Sequence, residues 1–135
     1  MAAFHQAGRT RINAFHVGEA YLFRHYFVDD EVFDDLKRYY SSYDYRFEVP
    51  ESRFGRVERL LDEHGFALAK VPDPEPFAVV KRKYTDHPKV LFKKSVFHRS
   101  LGRFNCFVMT DRGAVDEAVE AGARRLAETD LELAL

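Results

Sequence analysis

Three observations predict an α+β fold in which a mixed sheet of about five strands is covered by three to four helices as a two-layer sandwich. First, Tyr45, Phe47 and Val49 alternate with Arg46 and Glu48. Pro50 follows, then Phe54, Val57, Leu60 and Leu61 at helical spacing, then Gly65 and a second apolar run, Phe66–Val71. A strand buries every second residue and a helix every third or fourth, so this order reads as strand–helix–strand. Second, the run Pro72-Asp73-Pro74-Glu75-Pro76 excludes helix and central strand. It suits a tight connection that returns residues 77–84 antiparallel to Phe66–Val71. Third, one parallel crossover and one antiparallel return in the same chain imply a mixed sheet with helices against it. A three-layer α/β arrangement is the alternative.

The elements follow in order. Residues 1–11 are small and polar without periodicity and are expected to form a loose arm. Extended structure is expected over residues 12–17 and, past Gly18, over residues 20–27, where Tyr21, Phe23, His25 and Phe27 alternate with Leu22, Arg24 and Tyr26. Asp29 suits a helix N-cap, and the helix dipole favours Asp30 and Glu31 behind it. Val32, Phe33, Leu36, Tyr39 and Tyr40 then make one apolar stripe. Beyond the prolines, Phe77, Val79 and Val80 mark a strand, and Pro88 suits a first helical turn. Residues 90–101 carry strand-like and helix-like spacings together. Gly102 repeats the helix–glycine–strand junction of Gly65, which favours helix. Residues 104–109 read as a short strand. Thr110 or Asp111 caps a helix of small residues through Ala114, Val115, Ala118 and Val119, closed by Gly122, and the tail from residue 123 either adds a short strand near residues 125–127 or continues as helix.

A length of 135 residues suits one domain spanning residues 1–135, able to bury about two-thirds of its unfolded surface. Thirteen Phe and seven Tyr are more rings than a small core holds, so some are expected at a groove or a subunit contact, a homodimer being one use for them. The single cysteine, Cys106, excludes an internal disulfide and fits a reducing compartment. No apolar leader and no apolar run of about 20 residues is seen, so the expectation is a cytoplasmic protein without a membrane partner.

The net charge of −1 conceals a strong segregation. Residues 28–76 sum to −6, whereas residues 77–110 sum to +7. The cations are Lys81, Arg82, Lys83, Lys89, Lys93, Lys94, Arg99 and Arg103, opposed in that stretch by Asp86 alone. Tyr84, Phe92, Phe97 and Phe104 are interleaved with them. Lysine and arginine neutralise phosphates and exposed rings stack on bases, so this segment is the candidate surface for nucleic acid or an acidic protein. The competing reading is a solvated face whose rings point inward.

Other chemistry is thinly signalled. His5, His16, His25, His64, His87 and His98 lack metal-ligand spacing, and the acids Asp29 to Asp35 lack the alternation of a calcium loop, so no metal or cofactor is expected. His64, just before Gly65, suits a helix C-terminus. The segment FVMTDRGAVDEAVEAGA resembles the strand–TD–helix ending of PIN-type nucleases over seventeen residues. That family also needs an early aspartate on its first strand, and here Asp29 falls beyond the strand that ends at Phe27. The functional expectation is therefore a small binding or accessory protein acting through residues 81–103. A small hydrolase or nuclease with a pocket near Asp111 and His98 is the alternative.

Overall fold

The computed structural model describes residues 8–135, and over these the chain is α+β: nine strands in two sheets, with four helices and four short 3-10 turns. Contacts divide it into two compact units at the proline-rich run, one ending at Pro72 and the other beginning at Asp73.

The first unit contains β1 (Thr10–Val17), β2 (Ala20–Phe23), α1 (Asp30–Leu36), β3 (Tyr40–Ser41), β4 (Arg46–Pro50), α2 (Phe54–Glu63) and β5 (Phe66–Val71). Its sheet runs in the order β3-β4-β2-β1-β5, antiparallel except for the parallel pair β1–β5. The strand–helix–strand unit is present, and its two strands run in the same direction, but β2 and β1 lie between them. Asp29 caps α1, its Oδ1 accepting from the Glu31 amide at 2.9 Å. His64 is the C-cap of α2, and Gly65 follows at φ +87°, where a side chain would be strained. The Gly65 carbonyl then accepts from the Thr10 amide at 3.0 Å, tying the helix end to the start of β1.

Helices α1 and α2 cover one face of this sheet. Ile12, Ala14, Phe23, Phe47, Val49 and Leu68 meet Val32, Leu36, Phe54, Val57 and Leu61 in one core. Each such side chain fully removed from water contributes about 1.5–3 kcal/mol, so this cluster outweighs the exposed ion pairs around it. The strand expected through residue 27 ends at Phe23. His25 and Phe27 leave the ladder, yet Phe27 stays in the core, edge-on to Phe47 at 5.6 Å and to Phe66 at 5.2 Å, with the half-buried His25 ring against it at 4.8 Å. Most of the expected N-terminal arm, residues 1–7, lies outside the described residues. Its end does not: Thr10 and Arg11 already belong to β1.

The second unit contains β6 (Ala78–Arg82), α3 (Val90–Lys93), β7 (Ser95–Leu101), β8 (Phe104–Met109), α4 (Arg112–Glu120) and β9 (Arg124–Arg125). Its sheet, in the order β7-β8-β6-β9, is antiparallel throughout. The expected pairing of Phe66–Val71 with residues 77–84 does not form, because β5 and β6 belong to different sheets. The predicted helix over residues 90–101 is also corrected: α3 takes four residues and β7 takes seven. Gly102, at φ +61°, opens the two-residue loop of the β7–β8 hairpin and does not end a helix. Asp111 caps α4, its Oδ1 accepting from the Ala114 amide at 2.7 Å. Val79, Leu91, Phe107, Met109, Ala114, Val115 and Ala118 form the core between sheet and helices. None of the helices among the described residues is long and apolar enough to cross a membrane.

Candidate nucleic-acid interface

Every long strand of the second sheet is apolar at one end and polar at the other. In β6, Ala78, Val79 and Val80 are buried before Lys81 and Arg82. In β7, Ser95, Val96 and Phe97 are buried before His98, Arg99 and Ser100. In β8, Phe104 and Asn105 are half-buried ahead of the buried run from Cys106 to Met109. The antiparallel register superimposes the polar ends, so that Lys81 lies opposite Asn105, and Asn105 opposite Ser100. Alternation then assigns the faces. Val79, Phe107 and Met109 point toward α3 and α4, so Lys81, Asn105, Ser100 and His98 share that side. The helices cover the apolar end of this face and leave the polar end open.

The open half is knit by hydrogen bonds. The Lys83 amide donates to the Arg103 carbonyl at 2.9 Å, carrying the β6 pairing past its last residue. Lys83 Nζ donates to Ser100 Oγ. His87 Nδ1 lies 2.7 Å from the Thr85 carbonyl, and its Nε2 lies 3.2 Å from Asn105 Nδ2. The imidazole also meets two rings, Phe107 edge-on at 5.9 Å and Phe92 roughly parallel at 6.1 Å. Lys81 Nζ sits by the carboxyl end of α4, where a Cβ on Gly122 would lie 3.5 Å from it. The partial negative charge of a helix C-terminus favours an ammonium there.

The eight cations singled out in the sequence fall into several sets. Lys81 and Lys83 lie on the helix-bearing face. Arg82 and Arg99 alternate to the opposite face, where the Arg99 guanidinium lies 5.2 Å from the centre of the Phe97 ring. Lys89 and Lys94 flank α3, Lys93 is its last residue, and Arg103 is in the hairpin loop. Only Lys94 has an ion pair among the described residues, with Glu117 at 2.8 Å, and that carboxylate raises the Lys94 pKa through a hydrogen bond and its charge. Of the four interleaved rings, Tyr84 is wholly exposed at 102% and Phe92 is 57% exposed, whereas Phe97 is buried at 2%. Tyr84 also has φ +64°, a left-handed conformation rare for tyrosine.

The other candidates are placed differently. Asp111 uses one carboxylate oxygen on the α4 cap, and His98 sits across from Phe107, with rings 5.9 Å apart, on a face whose polar neighbours are Ser100 and Asn105. Cys106 is buried, and burial pushes its thiol pKa up to about 11. Among the described residues no three His, Cys, Asp or Glu side chains gather as a metal site. In the first unit a groove beside β5 is lined by Arg9, Arg11, Glu58, Arg59 and Asp62, where Arg9 already pairs with Asp62 at 3.3 Å. The same unit holds a contact cluster that local spacing did not signal. His16 pairs with Glu51 and stacks on Tyr21 at 4.7 Å, and Lys70 lies 4.9 Å from the centre of the Phe54 ring.

Ser100 and Asn105 are absent from the cationic set that the sequence singles out, and the register places them beside it. Their signal is strand alternation across Gly102, which a helical reading of residues 90–101 conceals. Comparison with protein-family models, curated proteins and solved structures finds no match to this chain.

Proposed function

We propose that this protein binds single-stranded nucleic acid through the open half of its second sheet. The observation that carries the reading is the pairing of free cations with exposed rings. Lys81 and Lys83 share a face with Ser100 and Asn105, no carboxylate pairs with either lysine among the described residues, and Phe92 and Tyr84 stand exposed beside them. The ammoniums would neutralise backbone phosphates and release counterions, and the rings would stack on bases whatever the sequence. An acidic protein would use the charge but has no comparable use for two exposed rings, which is why nucleic acid is preferred. Arg103, in the adjoining hairpin loop, extends the same positive field.

Fluorescence anisotropy with a short labelled single strand tests this. Three to five phosphate contacts predict that log affinity falls with log salt at a slope of about −2 to −4. Lys83→Glu is expected to weaken binding about ten-fold or more. Lys94→Glu is expected to cost less, because Glu117 already neutralises Lys94. No measurable binding at about 50 mM salt would refute the reading.

A further inference from the structure

We propose that Lys81, Lys83, Ser100 and Asn105 form a seat for a phosphomonoester dianion, so that the strand this surface prefers is one carrying a terminal phosphate. The inference rests on the single-strand reading above and names its substrate class more closely.

The Lys83 ammonium donates to Ser100 Oγ, so the hydroxyl's own hydrogen is free to donate onward, polarised by the charge behind it. Lys83 keeps further N–H groups for the same ligand. Next along the rung, the orientation of Asn105 is dictated by His87. The Thr85 carbonyl can only accept, so His87 Nδ1 carries a proton, and the other ring nitrogen, Nε2, faces Asn105 Nδ2. That amide nitrogen has two N–H groups, one directed at the imidazole and the second left for a ligand. Asn105 makes no other side-chain hydrogen bond among the described residues. Lys81, opposite Asn105 on β6, adds a second full positive charge to the field at this end of the sheet, its Nζ standing by the carboxyl end of α4.

Two ammoniums, a hydroxyl and an amide on one face, with no carboxylate paired to either lysine among the described residues, exceed what an internal phosphodiester uses. That group has a single negative charge. A terminal monoester near neutral pH carries about −1.5 to −2 and three strong acceptor oxygens, which match this set of donors. Histidine takes the positioning part here: His87 holds the amide of Asn105 and does not itself touch the anion.

The test compares three labelled strands of one sequence with a 5′-phosphate, a 3′-phosphate or neither, at about pH 7.5, where the monoester is mostly dianionic. One phosphorylated strand is expected to bind about ten-fold tighter than the unphosphorylated strand. In Ser100→Ala that gap should close to about three-fold or less while the salt slope persists, since Ser100 is exposed and the substitution keeps every charge. Lys83→Met should close the gap and shallow the slope together. Equal affinity for all three strands overturns the phosphate seat and leaves the binding surface standing. A gap unchanged in both variants overturns the assignment to these residues. Failure of every strand to bind removes the surface, and the seat with it.

Discussion

Tyr84 is held in a left-handed backbone conformation with its side chain wholly in solvent, so neither packing nor backbone preference accounts for a tyrosine at that position. The conformation costs a residue with a Cβ about 1–2 kcal/mol, and no buried contact offsets it. A glycine would remove the strain at some cost in unfolded-chain entropy. Tyr84→Gly is therefore expected to leave the denaturant midpoint unchanged or slightly raised while oligonucleotide affinity drops by about 1–3 kcal/mol, the range of one lost base–ring stack. Unchanged affinity would mean that Tyr84 takes no part in binding. Single residues were unevenly legible at this scale. The lysines and arginines announced themselves by sheer excess. Asn105 and Ser100 did not, because an isolated amide and hydroxyl have no signature until a register sets them on the same rung.

At the scale of elements, the chain was clearest wherever a single physical cause dominated. The α2 stripe of Phe54, Val57 and Leu61 with Gly65 behind it can be read directly, as can the Asp29 cap of α1. Residues 90–101 misled because two causes gave one pattern. Glycine at positive φ ends helices and also opens two-residue hairpins, and only the partner strand decides between them. Here β8 pairs with β7 from Leu101 back to Ser95, a long-range fact that local spacing does not carry. Helix α4 offers a quantitative check on the capping argument. Its first turn has no acidic residue, so the Asp111 carboxylate is the local device that satisfies the free amide of Ala114. Asp111→Ala is expected to destabilise the protein by about 1 kcal/mol, and Asp111→Asn by much less, because the amide oxygen still accepts. Chemical denaturation of the two variants reads this directly. Equal losses would show that negative charge at the helix start matters more than the hydrogen bond.

Over the whole molecule, a net charge of −1 hides a cationic stretch and an acidic one, and that segregation is legible from the order of the charges alone. The division of the strands into two sheets was not. The proline-rich run looked like a turn within one sheet, and proline chemistry states only that the segment cannot pair, not where the next strand goes. The response of stability to pH is also a property of the whole chain, and one group gives it a direction. His25 lies in the first unit against Phe27 at 4.8 Å and Phe66 at 5.3 Å, and burial lowers its pKa below the ordinary 6.5. The unfolded chain therefore takes up this proton more readily than the folded one. The resulting stabilisation is complete above 6.5 and is lost as pH falls through the lowered native value. Urea midpoints at about pH 7.5 and about pH 5 are expected to fall on acidification in the parent protein, and to fall less in His25→Gln, which cannot take up the proton. Carboxylates and the other histidines contribute alike to both chains, so the difference between the two falls isolates His25. Equal falls would assign the acid sensitivity elsewhere, and a larger fall in the variant would reverse the sign derived from the ring environment.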